Sequence, residues 1–156
     1  MELARNLKVE SVSRLRSAAA LCLAPEQTVA EAVAIMREQR TGCVLVTCPE
    51  GRVGGIFTER DLLRRVLAEG RPLSAPLAEV MTEGPVTVQT GEPIGLVVQR
   101  MQEGGYRHLP VVDGDGQPVG VLSVKRIVQY VVEHFPSTIY CLPPDPDVFP
   151  LQREGA

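Results

Sequence analysis

Apolar positions along this chain follow two alternating rhythms. Val29, Ala32, Val33 and Met36 stand three and four residues apart, the spacing that gathers side chains on one helix face, and Ile94, Val97, Val98 and Met101 do the same. After each come two short β-rich runs around a Gly-containing turn: Cys43 to Thr47 with Val53 to Thr58, and Leu109 to Asp113 with Val119 to Ser123. Asp113-Gly114-Asp115-Gly116 reads as a hairpin turn, because Gly accepts the positive φ such loops need. A short apolar stretch opens each set, Leu21 to Leu23 or Val86 to Val88, and a second helix closes it, Glu59 to Ala68 or Val124 to about Phe135. Thr28 with Glu31 three residues on has capping-box spacing. Pro93 suits the first turn of the helix it precedes, and Gly104-Gly105 a helix stop.

The two sets are one unit written twice. A shift of 65 positions lays Pro25 to Leu62 on Thr90 to Ile127 without a gap, matching Met36 to Met101, Glu38 to Glu103, Val46 to Val111, Gly51 to Gly116 and Gly55 to Gly120. The predicted fold class is therefore α/β (α+β), with two β-α-β-β-α repeats. Units of about 60 residues bury both faces of their strands poorly alone, so the pair should pack sheet against sheet as one body. The expected organisation is an arm or helix over 1–17, a first repeat over 18–68, and a linker over 69–82 holding Gly70, Pro72 and Pro76. A second repeat over 83–135 and an extended Pro-rich tail over 136–156 follow.

Composition narrows the function. With 16 Lys+Arg against 19 Asp+Glu, a formal charge of −3 and a pI near 5.4, no overall positive field favours nucleic acid or an anionic membrane. No uninterrupted apolar run approaches the roughly 18 residues of a membrane span, and a cytoplasmic location is expected. Ala18 to Ala24, preceded by Arg14 and Arg16, could be read as a short signal core with a lipoprotein Cys22, but Leu21 stands where a small residue should. Cys22, Cys43, Cys48 and Cys141 contain no C-x-x-C pair. They fit reduced thiols, with Cys43 and Cys48 buried, better than a disulfide framework or a metal site.

The chemistry gathers at the strand-to-helix junctions. Thr58 can cap free N–H groups, and the Asp61 carboxylate one turn later can accept two ribose hydroxyls; the same pair also reads simply as a helix cap and a dipole complement. Arg107 and His108 entering a strand, with Lys125 entering a helix, offer cations to a phosphate. Strand alternation sends Arg107 and His108 to opposite sides. The shift carries Thr58 and Asp61 to Ser123 and Arg126, replacing an acceptor by a donor, and carries Arg107 and His108 back to uncharged Gly42 and Cys43. The Asp61 junction is therefore expected to suit a nucleoside, and the Arg126 junction to be degenerate, empty or holding a simple anion. His108 and His134 are the only histidines, His134 suits a helix end, and no phosphate-loop, zinc-protease or serine-hydrolase motif occurs, so no enzyme activity and no catalytic or metal-binding residue is predicted.

Gly55-Ile56-Phe57-Thr58-Glu59-Arg60-Asp61 and Tyr106-Arg107-His108-Leu109-Pro110-Val111-Val112-Asp113 resemble the signatures of the tandem CBS-domain pair, or Bateman module, over about Leu21 to Phe135. That resemblance implies a pseudo-two-fold pair with two clefts, adenosine-containing ligands, a regulatory rather than catalytic role, and a flat homodimer through the repeat helices. Similarity to the γ subunit of AMP-activated protein kinase implies that Arg107, His108 and Lys125 reach a phosphate while Asp61 holds the ribose with Thr58 beside it. It also implies that Ile56 and Val86 line the adenine pocket. The Arg-His order is reversed here, and Thr41 stands where the relative carries a further arginine, which lowers the expected anionic capacity. AMP, ADP or ATP is the expected regulatory ligand, with S-adenosylmethionine or NADH as others and magnesium as companion to a polyphosphate. An adaptor that binds an effector protein and no nucleotide is the competing reading.

Overall fold

The computed structural model describes residues 2–136. The chain begins with helix α1 (Glu2–Val9) and a 3-10 turn at Val12–Arg14. The first repeat holds β1 (Cys22–Leu23), α2 (Val29–Glu38), β2 (Cys43–Thr47), β3 (Val53–Thr58) and α3 (Glu59–Asp61), which runs on as a π turn over Leu62–Leu67. A 3-10 turn at Leu77–Glu79 and strand β4 (Thr82–Glu83) lead into the second repeat: β5 (Val88–Gln89), α4 (Ile94–Gly104), β6 (His108–Val112), β7 (Pro118–Ser123) and α5 (Val124–His134). The β-α-β-β-α order thus occurs twice. The tail and Cys141 lie outside the described residues, apart from Pro136.

Each repeat builds a small mixed sheet. β1 runs parallel to β2, and β2 antiparallel to β3 with Leu45 opposite Ile56; in the second sheet β5 runs parallel to β6, and β6 antiparallel to β7 with Pro110 opposite Val121. Local chemistry agrees. Thr28 and Glu31 form the capping box, Glu31 accepting from the Thr28 N–H at 2.7 Å, and these hydrogen bonds hold the exposed Glu31 carboxyl below its usual range. Pro93 sits one position earlier than expected, at the N-cap. Gly105 ends α4 in the left-handed conformation at φ +64°, and Asp113 Oδ1 accepts from the Asp115 and Gln117 N–H groups inside the hairpin turn.

The repeat begins earlier than the sequence pattern suggested, and its first turn is exchanged between halves. Val12 and Leu15 are buried with Val88, Ile94 and Leu109 of the second repeat; Leu77 and Val80 are buried with Val29, Val44 and Phe57 of the first. The same shift relates the docking bonds. Leu77 N–H donates to the Gln27 carbonyl, and Val12 N–H to the Glu92 carbonyl, both at 2.8 Å. The arm and the linker are therefore core elements rather than simple spacers. Tyr130 Oη donates to Glu10 at 2.8 Å, tying the arm to α5 as well.

The sheets meet through Cys43, Leu45 and Ile56 of one and Val121 of the other, all buried. Burial pushes the Cys43 thiol up to about 12, while its hydrogen bond with Thr41 acts the other way. Cys48, expected to be buried, is exposed, as is Cys22. This packing leaves an indentation on each side of the sheet junction.

Candidate functional site: two clefts across the repeat junction

The first cleft, of about 880 Å³, is walled by Ile56, Thr58 and Asp61 from the first repeat, Val86 from the approach to β5, and Arg107 and His108 from the second. Six of the eight predicted site residues therefore share one cavity. Lys125 and Thr41 do not. Both line the opposite cleft, of about 960 Å³, together with Ser123 and Arg126. The correction follows from topology: α5 starts where β7 ends, and its first turn lies opposite the end of α2 rather than over the Asp61 side. Arg107, His108, Gly42 and Glu59 border both cavities. Arg107 precedes β6, so strand alternation does not separate it from His108.

Asp61 is 8% exposed and fully engaged. Its Oδ2 accepts from the Thr58 N–H at 3.0 Å and the Thr58 hydroxyl at 2.7 Å, while the Asp61 N–H donates back to Thr58 Oγ1 at 3.2 Å. Its Oδ1 accepts from the Thr82 hydroxyl at 3.3 Å and lies 3.5 Å from Arg65 Nε. The helix-cap reading of Thr58 and Asp61 is thus realised as a reciprocal box. A ribose hydroxyl can reach the carboxylate only at Oδ1, by taking the place of Thr82 or Arg65.

The second copy keeps half of this arrangement. Ser123 Oγ accepts from the Arg126 N–H at 3.4 Å, but no carboxylate stands in the first turn of α5. The counterpart of Asp61 is missing there, as the shifted sequence predicted.

His108 is packed against Gly42, where a Cβ would stand 3.1 Å from its Cε1. Burial lowers the His108 pKa, Glu59 raises it and Arg107 lowers it further, with a net shift below the ordinary imidazole value. The half-buried ring borders both cavities, and its surroundings disfavour the imidazolium form.

Several lining residues were not singled out from the sequence. Arg60, Arg64 and Arg65 add cations to the Asp61 cleft, beside the acids Glu59 and Glu83. Arg65 also donates to the Met81 and Val80 carbonyls, closing the cleft floor against β4. Its i,i+4 spacing from Asp61 was the readable signal. Thr82 carried none, since it lay in the supposed linker.

Among the described residues no helix is long and apolar enough to cross a membrane. The family description "CBS domain" matches residues 12–68 and 77–133. The Arabidopsis thaliana CBS domain-containing protein CBSCBSPB2 is 34% identical over 117 residues, 74% of this chain and 22% of that protein. A 17.7 kDa protein of Acidianus ambivalens is 28% identical over 122 residues, 78% of this chain and 73% of that one. The chain thus spans about a fifth of the length of the plant relative. Among solved structures, the CBS domain protein PAE2072 from Pyrobaculum aerophilum, complexed with AMP, superposes with a TM-score of 0.70 at 27% identity, covering 75% of this chain and 89% of that one. A conserved protein from Pyrococcus horikoshii superposes with a TM-score of 0.73 at 27% identity, covering 79% and 92%. Two matched segments related by the observed shift, folded as paired β-α-β-β-α units, place this chain in the CBS-domain family, with two CBS domains in tandem.

Proposed function

We propose that this CBS pair is a non-catalytic sensor that binds an anionic adenosine-containing ligand, AMP, ADP or ATP, in the cleft between its repeats. The observation that carries the reading is the composition of the Asp61 cavity. One repeat supplies a buried carboxylate and hydroxyl pair, the other supplies Arg107 and His108, and aliphatic Ile56 and Val86 flank them. The AMP complex of the Pyrobaculum relative supports the ligand class. Arg60, Arg64, Arg65 and Arg107 in the cavity favour a phosphorylated nucleoside over cationic S-adenosylmethionine.

In this reading a bound nucleotide acts by favouring one relative arrangement of the repeats, because its two ends are held by different halves. The output passes to an effector protein or across a homodimer. The adaptor reading draws on exposed Leu63 and Leu67 beside the first cleft and exposed Val128 on α5. Thermal-shift measurements with AMP, ADP, ATP, S-adenosylmethionine and NADH discriminate the two. A sensor gains stability with the adenylates and least with S-adenosylmethionine; an adaptor is indifferent to all five.

A further inference from the structure

The cleft on the Ser123 side lacks a counterpart of Asp61 and carries more cations than acids. We propose that it is a site for a compact polyphosphate anion, recognised without a nucleoside. Arg37 and Arg40 at the end of α2, Arg107 before β6, and Lys125 and Arg126 in the first turn of α5 border this cavity, with Glu59 as the acid on its wall. Among the described residues none of these five cations takes part in an ion pair. Like charges held in one concavity raise its potential and favour a multivalent counter-ion.

Two further observations point the same way. The α5 N-terminus carries cations and no acid in its first turn, although the helix dipole there favours negative charge. The α3 N-terminus, its repeat equivalent, carries Glu59 and Asp61. The second observation is backbone strain. Arg40 has φ +50°, the left-handed region, at the position equivalent to Gly105. The chain thus places an arginine where the backbone favours glycine, and that arginine borders the cleft. This inference does not rest on nucleotide binding at Asp61.

Calorimetric titration of the full chain with sodium tripolyphosphate tests it. Tripolyphosphate should bind the wild type, with affinity falling as salt rises. Lys125→Ala with Arg126→Ala should weaken it about tenfold or more. Arg40→Gly should weaken it while raising the melting temperature, a pairing that a merely structural arginine would not give. Asp61→Ala should retain tripolyphosphate binding, and ATP should bind that variant no more tightly than tripolyphosphate does. The proposal fails if tripolyphosphate gives no heat, if the variants bind it as wild type does, or if ATP binds Asp61→Ala far more tightly than tripolyphosphate through Arg126.

Discussion

Val12 and Leu77 occupy equivalent positions in the two repeats, and each is buried in the core of the other one. Neither CBS domain is complete within its own β-α-β-β-α unit. The exchange fixes the clefts by locking the halves together from both ends; the arm does this without lining either cavity, while the linker ends in Thr82, which touches Asp61.

Truncating either anchor should therefore cost stability of the whole pair. Leu77, with no exposed surface, is expected to lose about 2–5 kcal/mol as Leu77→Ala. A shorter Val12→Ala side chain should lose less. Chemical denaturation should show one cooperative transition shifted in both variants. Independent transitions for the two repeats would contradict the exchange.

Thr58 serves the helix before it serves any ligand. Thr58→Ala removes a cap oxygen and a donor to Asp61, and should cost about 0.5–2 kcal/mol without nucleotide present. Unchanged urea midpoints for Thr58→Ala would show that the capping box adds nothing.

Arg65 Nε lies 3.5 Å from Asp61 Oδ1, the oxygen that the proposed ribose contact needs. Replacing this partly exposed side chain by alanine frees one acceptor, so uncharged adenosine should bind Arg65→Ala about twofold to fivefold more tightly. AMP should gain less, because the same change removes a cation from the cavity. Weaker adenosine binding in the variant would show that Arg65 supports rather than blocks the site.

His108 should report on pH. Its folded pKa lies below the ordinary imidazole value because burial disfavours the cation, with Arg107 adding to this and Glu59 opposing it. The unfolded chain then binds more protons between the two values, so stability from this group is full above the unfolded pKa and lost as pH falls through the folded one. NMR titration should show His108 titrating below free imidazole, and moving upward when AMP places a phosphate beside it. A titration at or above the free value would contradict a half-buried ring whose surroundings disfavour the cation.

Much of this was legible in the sequence, for a physical reason. Helix faces, hairpin turns and the Thr58-Asp61 box depend on residues close along the chain, so the spacing of Met36, Gly105 and Asp113 reports them. Placement across the molecule was harder. Lys125 has the right chemistry for a phosphate, but the direction of α5 takes it to the other cleft. Val12 and Leu77 were missed because their partners lie in the opposite repeat, although the same 65-residue shift relates them.

The most direct test is calorimetric titration of AMP into the wild-type chain and into Asp61→Ala, with circular dichroism confirming that both are folded. One AMP per chain should bind the wild type, and the variant should lose most of that affinity. Equal binding by both proteins, or no binding to the wild type, would contradict a nucleoside site built on Asp61.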